Sequence, residues 1–339
     1  MKLTSPARNV TPATLAPEAL TACRDWARRF GADTPRHLRY ATLVPWVHPD
    51  IVPERQAILA NIYVFYRVYD DFNDAYGTDF ATSRALANAM IDVLDGREPG
   101  SEATAVRMFE DLWRQHGESA PATFLTRTAA HWRGYFATQT HYLAMRKPDY
   151  PWNLDDYLSL RLDNGGLHLS ISQGELANGR YIPTHVYRLS SLTAMRRLAS
   201  YCVILTNDLH SAVRDERNGD HRNPVAQHMR HAGTTRREAE ELVQGLLFDY
   251  TDLLHGHVAH LERECDLLEL GPEDRALARV GATNCVNHAA GYEAWAARNE
   301  PVMDTLDVRA DVAPRAVQPR PGGAKAQVRT GRPNRHPAL

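Results

Sequence analysis

Apolar residues recur at helical spacing along most of the chain, and prolines, glycines and polar caps divide this pattern into segments. The predicted helices span residues 17–30, 53–76, 81–95, 102–116, 121–145, 153–161, 167–177, 185–217, 234–270 and 272–299. Residues 35–52 are expected to be mainly loop, and Pro301 is expected to end the last helix. No segment shows the alternation of a strand, so the predicted fold class is all-α.

The domain organisation follows from length and from where the pattern fades. The chain has 339 residues, enough for one large domain, and no linker-like stretch divides its body. We therefore expect an irregular lead-in at 1–16 and a single domain at 17–307. Residues 308–339 are rich in Pro, Gly, Arg and Ala with little apolar content, so we expect disorder there.

Charge and cysteine content narrow the class of protein. The net charge is −2, and residues 308–339 hold seven basic residues and one acid, which is +6 and leaves −8 for residues 1–307. An acidic body argues against a nucleic-acid partner. No apolar stretch resembles a membrane span or a signal peptide, so we expect a cytoplasmic protein. The four cysteines are scattered, and reduced buried thiols are expected: Cys23, Cys202, Cys265 and Cys285.

Residues 207–215 bring three oxygen-bearing side chains to one face of the predicted helix 185–217. Asn207, Ser211 and Asp215 stand four residues apart, so each lies about one turn beyond the last. Amide, hydroxyl and carboxylate oxygens are hard ligands that suit Mg²⁺, which takes its remaining ligands from water and phosphate. A solvent-facing helix end has a similar composition, so the segment alone is equally typical of both.

A second acidic segment ends the predicted helix 53–76. Asp70 and Asp74 lie one turn apart on one face, while Asp71 points about 100° away from Asp70. Tyr66 and Tyr63 precede Asp70 on the same face. Neighbouring carboxylates repel one another and need cations or full hydration. Taken alone, the segment is more typical of an exposed acidic helix end.

A third feature interrupts an apolar helical stretch at Gly165 and Gly166. Two glycines in a helix cost about 1 kcal/mol each relative to alanine, and they predict a break that exposes backbone groups. Arg161 lies one turn earlier and has a planar fork that suits phosphate. The alternative is a plain loop between two helices, with Arg161 on the surface.

Taken together, these segments resemble the motifs of bacterial class I terpene synthases. In that family a D-D-x-x-D motif and an N-D-x-x-S-x-x-x-E motif face each other across the central cavity of an all-α bundle and hold three Mg²⁺. Residues 70–74 match the first motif and residues 207–215 match the second, with Asp215 replacing the usual Glu. The resemblance covers roughly residues 20–300. It implies that six residues are metal ligands: Asp70, Asp71, Asp74, Asn207, Ser211 and Asp215.

The resemblance also implies roles around the diphosphate. Arg161 precedes Asn207 by 46 residues, which is the spacing of the family's diphosphate-sensing arginine. Asn164 and Gly165 then fall on the positions that link this sensor to a backbone carbonyl facing the substrate. Arg214 stands where the family often has a diphosphate-contacting lysine. The residues expected to line the pocket are Tyr63, Tyr66, His168, Leu169 and Trp295, although plain core packing also explains each aromatic.

One departure from the family concerns the last helix. Bacterial members carry an Arg-Tyr pair shortly after a tryptophan in this helix. Trp295 matches the tryptophan, but Pro301 and Val302 stand where the pair would fall. Arg298 is the nearby cation that would have to reach the diphosphate from another turn.

The implied activity is that of a Mg²⁺-dependent terpene cyclase, a lyase that ionises a prenyl diphosphate and cyclises the cation. Farnesyl diphosphate is the expected substrate, geranylgeranyl diphosphate is the alternative, and a monomer or homodimer is expected. An inactive homologue that binds a prenyl diphosphate stays open because the Arg-Tyr pair is missing. A chain-elongating prenyltransferase is disfavoured, because it would need a second Asp-rich motif in place of residues 207–215.

Overall fold

The computed structural model describes residues 10–76, 79–145 and 150–306, with all side chains in these ranges except those of residues 75–76 and 300–306. Helices are the only regular structure in these ranges, which confirms the all-α prediction. The α-helices are α1 Pro17–Arg29, α2 Pro35–Arg39, α3 Val44–Val47, α4 Gln56–Tyr76, α5 Phe80–Leu94, α6 Thr104–Ser119, α7 Ala122–Ala144, α8 Leu154–Asn164, α9 Leu167–Asn178, α10 Thr184–Tyr187, α11 Ser190–Arg217, α12 Pro224–Ala232, α13 Arg236–Leu267 and α14 Pro272–Leu306. Short 3₁₀ turns occupy Tyr40–Leu43 and Pro53–Arg55.

An aromatic cluster holds α4 against α6 and α7. The ring of Phe109 lies 5.4 Å from Phe65, 4.9 Å from Trp132 and 4.8 Å from Phe136, measured between ring centroids. All four side chains are buried. Edge-to-face and stacked rings at these distances add to the hydrophobic burial, so the inner face of α4 is fixed in place.

A second apolar cluster fixes α11, the helix that carries residues 207–215. Leu192 and Met195 on α11 are buried with Leu254 and Leu261 of α13 and with residues of α14. The buried apolar residues of α11 from Tyr201 onward, at 201–205 and 212, belong instead to the first cluster.

The predicted break at the two glycines is confirmed. α8 ends at Asn164, α9 begins at Leu167, and Gly166 between them has a φ of +63°, a left-handed conformation that favours glycine. All residues of α9 except His168 and Asn178 are buried. The break therefore turns the chain into the centre of the bundle.

The prediction that 35–52 is mainly loop is wrong. This stretch contains α2, a 3₁₀ turn and α3. Pro35 is the first residue of α2 and Pro45 is the second residue of α3, positions in the first turn where an amide N–H has no partner within the helix. Thr34 completes the cap of α2 by accepting a hydrogen bond from the His37 amide at 3.2 Å.

The helix predicted at 185–217 is divided. α10 ends at Tyr187 and α11 begins at Ser190, where the amides of Ser190 and Ser191 donate to the Glu264 carboxylate at 2.7 Å and 2.8 Å. Glu264 is on α13, so a distant side chain satisfies the first amides of α11. Nothing in the local sequence marks such a cap.

Two further helix boundaries differ from expectation. α12 was not among the predicted helices, although Asn223 caps it, Pro224 opens it and Gly233 closes it. α14 continues through Pro301 to Leu306. A proline removes one backbone hydrogen bond, at a cost of about 3 kcal/mol, but it does not forbid a helix that is otherwise well packed.

The remaining expectations concern the termini, the cysteines and membranes. All four cysteines are buried and free, as expected. No helix among the described residues is long and apolar enough to cross a membrane. Residues 10–16 have no regular structure, whereas 1–9 and 307–339 lie outside the described residues, so the disorder expected of the tail stays a prediction.

Candidate active site

Asp70 lies on the inner face of α4 and is half-buried. The Tyr135 hydroxyl on α7 donates a hydrogen bond to its Oδ1 at 2.9 Å. Burial raises the pKa of Asp70, and the nearby Asp74 raises it further, while Arg67 and Tyr135 act in the opposite direction. Asp70 is therefore a carboxylate whose charge is incompletely matched by the protein.

Asp71 is buried among cations. Its Oδ1 lies 2.8 Å from Arg36 Nη2 and is also bonded by Arg67, and its Oδ2 lies 3.0 Å from His37 Nε2. Burial lowers the pKa of His37 to about 4, although both of its ring nitrogens face acceptors, the Asp71 carboxylate and the Ala32 carbonyl, each at 3.0 Å. These contacts occupy both oxygens of Asp71, which separates it from Asp70 although the two are adjacent in sequence.

Asp74 is the exposed member of this segment. Its side chain is 54% exposed, and its Oδ2 lies 3.9 Å from Arg67 Nη2. Asp74 and Asp70 lie one turn apart on α4, as predicted, so both carboxylates stand on the same side of the helix.

Asn207, Ser211 and Asp215 share one face of α11. Asn207 Nδ2 donates to the Tyr292 hydroxyl at 2.9 Å, and the Ser211 hydroxyl donates to Asp215 Oδ2 at 2.6 Å. Burial raises the pKa of Asp215, although the hydrogen bonds from Ser211 and Asn223 lower it. The predicted alignment is present, and the amide oxygen of Asn207 remains as the atom that can serve as a ligand.

Asn223 was missed by the sequence reasoning. It is buried, and its Nδ2 donates to the Asp208 carbonyl at 2.8 Å and to Asp215 Oδ2 at 3.0 Å. Its position before Pro224 is typical of a helix N-cap and could have been recognised in the sequence. Its contact with α11 could not, because this contact depends on how the turn at 218–223 folds.

Asp208 was also missed, and it is the most buried carboxyl group in this region, 3% exposed. The Tyr157 hydroxyl lies 3.0 Å from both of its oxygens. Burial raises the pKa of Asp208 to about 7, against the opposing effect of Arg161. An acid directly after Asn207 on a helix that is mostly buried was the available signal.

Arg161 is within electrostatic reach of carboxylates on both acidic helices. Its Nη1 donates to Asn164 Oδ1 at 2.9 Å, and its guanidinium lies 5.0 Å from the centroid of the Tyr142 ring. Burial favours loss of its charge, but neighbouring phenols and the carboxylates of Asp208 and Asp70 keep its pKa raised. Asp70 is on α4 and Asp208 is on α11, so one guanidinium interacts with both.

The Arg161 Nε is buried and has no hydrogen-bond partner in the described part of the chain. A buried donor without an acceptor is costly. Arg161 is therefore partly buried rather than on the open surface, with one donor still to be satisfied.

Asn164 and Gly165 support this arginine. Asn164 Nδ2 donates to Gln139 Oε1 at 2.8 Å, which fixes the amide that accepts from Arg161. A Cβ at Gly165 would lie 2.3 Å from Leu167 Cδ2 and 2.7 Å from the Arg161 carbonyl oxygen. The chain at Gly165 therefore packs too closely against the last turn of α8 for a larger residue to fit without a shift.

Three further arginines stand near the acidic residues. Burial lowers the pKa of Arg36 to about 10, and the neighbouring cations Arg67 and Arg214 lower it further. Arg222 Nε donates to Asp220 Oδ1 at 2.7 Å, and its guanidinium lies 3.7 Å from the centroid of the Tyr142 ring. Arg36 was missed because its partner Asp71 is 35 residues away in the sequence. Arg67 and Arg222 were overlooked although their partners, Asp71 and Asp220, are only four and two residues away.

Of the two other predicted diphosphate ligands, Arg214 is near the acidic residues and Arg298 is not. Arg214 lies three residues after Ser211 on α11 and interacts electrostatically with Asp215. Arg298 is exposed, donates to the Ala294 carbonyl at 2.7 Å and lies 4.7 Å from the Trp46 ring centroid. The side chains of Pro301 and Val302 lie outside the described ones.

The predicted pocket residues fall into two groups. Tyr63 and Tyr66 lie on the Asp70 face of α4, and their rings meet edge to face at 5.6 Å. Trp295 is completely buried and donates to the Thr42 hydroxyl at 3.0 Å, so it is a packing residue of the core. Tyr292, one turn earlier, is the aromatic residue of α14 that contacts the site.

His168 and Leu169 follow the glycine break. Leu169 is buried in the first apolar cluster. His168 lies 6.0 Å from His131 between ring centroids, and burial lowers its pKa. Neither residue has a described contact with Asp70, so their place in a pocket stays a prediction.

The donor atoms on α4 and α11 fit a hard divalent cation. They are carboxylate, amide and hydroxyl oxygens, and the buried carboxylates have raised pKa values that a bound cation would relieve. No group of three or more His, Cys, Asp or Glu side chains comes together as a metal site among the described residues. The oxygens are divided between two helices, so ligands from a substrate would complete the coordination.

Sequence comparison identifies relatives of this chain. It is 26% identical over 215 residues to pristinol synthase from Streptomyces pristinaespiralis, which covers 62% of this chain and 58% of that protein. It is 24% identical over 255 residues to a 7-epi-alpha-eudesmol synthase from Streptomyces viridochromogenes, which covers 74% of each. Matches to three Streptomyces pentalenene synthases cover 62% to 66% of those proteins, less than two thirds of their length.

The fold has solved counterparts. Germacradien-4-ol synthase from Streptomyces citricolor superposes with a TM-score of 0.76 at 22% identity, over 87% of this chain and 99% of that one. This agreement places the bundle among known helical folds. The family model for terpene synthase family 2, C-terminal metal binding, matches residues 61–252, which include both acidic segments and Arg161. Since this match spans more than half of the chain, the protein belongs to the terpene synthase family.

Proposed function

We propose that the protein is a terpene cyclase that ionises an acyclic prenyl diphosphate, cyclises the resulting cation and releases diphosphate. The observation that carries the proposal is Arg161, whose guanidinium interacts with Asp70 on one acidic helix and Asp208 on the other. Its buried Nε has no partner among the described atoms. A diphosphate between the two helices would satisfy this donor.

The chain's own residues would bind and orient the leaving group. Arg161 lies in the last turn of α8, just before the glycine break, and Arg214 lies on α11 beside Asp215. Hydrogen bonds from a fixed guanidinium strengthen as negative charge grows on the departing oxygen, so they favour ionisation over mere binding. Asp71 holds Arg36 and Arg67, and we assign it to positioning these cations.

Mg²⁺ fits the donor set and would be held by Asp70, Asp74, Asn207, Ser211 and Asp215. When bound, it would supply the positive charge that neutralises the leaving diphosphate. The family's description as metal binding supports a divalent cation. The number of three ions rests on the resemblance alone, and the cytoplasmic location and the monomeric or dimeric state likewise stay predictions.

Farnesyl diphosphate is the proposed substrate. The name of the eudesmol synthase relative describes it as cyclising (2E,6E)-farnesyl diphosphate, as does that of a (-)-beta-caryophyllene synthase from Saccharothrix espanaensis. The test is to incubate the protein with Mg²⁺ and geranyl, farnesyl or geranylgeranyl diphosphate, and to analyse the extracts by gas chromatography–mass spectrometry. A cyclic product from the farnesyl substrate is expected. Products from geranylgeranyl diphosphate alone would correct the chain length, and none from any substrate would refute the cyclase.

The metal assignment is tested by substitution. Asp70→Ala and Asn207→Ala are each expected to abolish turnover while leaving the helical circular dichroism intact, because each removes an oxygen ligand from a different helix. Asp249→Ala on the exposed side of α13 is the matched control. Wild-type yield from either site variant would contradict the assignment.

A further inference from the structure

A buried chain of hydrogen bonds joins four elements of the bundle. His48 Nε2 lies 3.0 Å from the Tyr63 hydroxyl, which lies 2.8 Å from the Ser170 hydroxyl, which lies 3.1 Å from His288 Nε2. All four side chains are at least nine-tenths buried. His48 follows α3, whereas the other three residues belong to α4, α9 and α14. We call this the histidine network.

The histidine network lies one to two helical turns from residues of the candidate active site on three separate helices. On α4, Tyr63 precedes Tyr66, whose ring meets Tyr135, the residue that donates to Asp70. On α9, Ser170 lies one turn after Gly166, and its amide donates to the Gly166 carbonyl at 2.8 Å.

The third helix gives the same result. On α14, His288 lies one turn before Tyr292, which accepts the hydrogen bond from Asn207. Asp70 and Tyr63 are seven residues apart, a rise of about 10 Å along α4. A prenyl chain whose diphosphate is held near Asp70 and Asn207 would extend along these aromatic faces toward the network.

The number of protons in the network allows two directions for its hydrogen bonds. Two hydroxyl protons and one imidazole proton are enough for the three bonds, so the chain can run either way. His288 Nδ1 is buried and has no partner within the described residues. A bare nitrogen lone pair is cheaper to bury than an unpaired N–H. The favoured direction therefore has His288 Nε2 donating to Ser170, Ser170 to Tyr63 and Tyr63 to His48.

The two imidazoles are neutral in this environment. Burial lowers the pKa of His288 to about 3, and burial together with His288 lowers that of His48. Their rings are 5.9 Å apart, so protonating one disfavours protonating the other. In the favoured direction Nδ1 of His288 is thus unprotonated and buried, and three hydrogen bonds fix the side chains behind it.

We propose that Nδ1 of His288 accepts the proton that ends the carbocation reaction, and that Ser170, Tyr63 and His48 hold its ring in the proton-accepting tautomer. This inference rests on the proposed function. A C–H bond beside the cationic carbon breaks, its electron pair forms the product's double bond, and the proton bonds to Nδ1. The imidazolium then gives the proton to the released diphosphate or to water, which restores the starting tautomer. A carbocation is acidic enough to protonate so weak a base.

The test compares product composition with diphosphate release in His288→Gln. Loss of the base leaves ionisation in place but removes the last proton acceptor, so the main product should fall by about fivefold or more relative to diphosphate release. Earlier hydrocarbons or water-quenched alcohols should replace it in the chromatogram. A role in folding alone would lower product and diphosphate release together.

A matched control and a milder variant keep the test decisive. His116→Gln changes another fully buried histidine, on α6 and outside the histidine network, and its product ratio should equal the wild type's. If His288→Gln does not fold, Tyr63→Phe removes one oxygen and breaks the same alignment. Wild-type ratios in both network variants would overturn the inference. Absence of diphosphate release from the wild-type protein would refute the proposed function.

Discussion

Asp70 and Asp71 are neighbours with opposite surroundings. Asp71 has both oxygens bound by cations or a donor, whereas Asp70 receives one hydroxyl, and burial raises its pKa. Buried charge without a partner is costly, and a buried pair that loses one member is more costly still. We therefore expect Asp71 to contribute mainly to the stability of the fold and Asp70 mainly to the reaction.

Asp71→Asn is expected to lower the free energy of unfolding by about 3 kcal/mol, because it leaves Arg36 and Arg67 without their shared counter-charge. Asp70→Asn serves as the comparison and should lose little stability, since the Tyr135 hydroxyl can still donate to the amide oxygen. Urea unfolding of both variants without metal measures the difference. Equal losses would show that Asp71 is not the anchor of the arginines.

His131 makes stability depend on pH. Burial lowers its pKa to about 3, assisted by His168 and the cations Arg127 and Arg196, whereas an unfolded histidine titrates near about 6.5. Between these values the unfolded state binds more protons, so the free energy of unfolding should fall as pH drops below about 6.5. His131→Gln should make this fall shallower, measured by urea unfolding at pH about 7 and about 5. The exposed His231→Gln should not, and identical slopes would contradict the assignment.

At the level of elements, the break between α8 and α9 depends on the space at Gly165. A methyl group there would meet Leu167 and the Arg161 carbonyl, so Gly165→Ala should destabilise the protein by about 1–3 kcal/mol. Gly245→Ala on α13 is the matched control, because nothing lies within 4 Å of the added carbon. It should stabilise the protein by about 1 kcal/mol. Thermal unfolding should therefore show a lower Tm for Gly165→Ala and a higher Tm for Gly245→Ala. An unchanged Tm for Gly165→Ala would contradict the steric argument.

The elements that sequence reasoning located are those with local causes. Helical spacing and the two glycines predicted the alignment of Asn207, Ser211 and Asp215 and the break after α8. The cap at Ser190 was not predictable, because Glu264 lies 74 residues away in the chain. The pairing of Arg36 with Asp71 joins residues 35 apart, and the contacts of Asn223 with α11 depend on the fold of the intervening turn. Arg67 and Arg222 have partners four and two residues away, so their spacing was a signal that was available.

At the level of the whole molecule, we propose that α1 to α14 form one unit around the candidate active site. α4 belongs to the first apolar cluster, whereas α11 contributes buried residues to both clusters. A ligand that binds side chains of both helices links the two helices directly. Such a ligand binds only the folded state, so its affinity appears as stability.

Inorganic diphosphate with Mg²⁺ should therefore raise Tm more than Mg²⁺ alone. At a hundredfold excess over Kd, the gain is about 2.7 kcal/mol in the free energy of unfolding. Asn207→Ala should lose most of the shift, because the α11 side of the bridge is removed. Differential scanning fluorimetry measures both proteins, and an equal shift in the variant would show that the ligand binds elsewhere.

The turn between α11 and α12 has a consequence for engineering the chain. Asn223 uses its amide nitrogen to clasp Asp208 and Asp215 and its amide oxygen to accept from the Val225 amide at 3.0 Å. One inserted residue would displace that amide by roughly 3.5 Å, more than a hydrogen bond spans. A tag, label or split point placed between 218 and 223 would thus break the contacts that hold Asn223 against α11. The turn after α13, whose last residue Leu267 is 84% exposed, offers a safer place to open the chain.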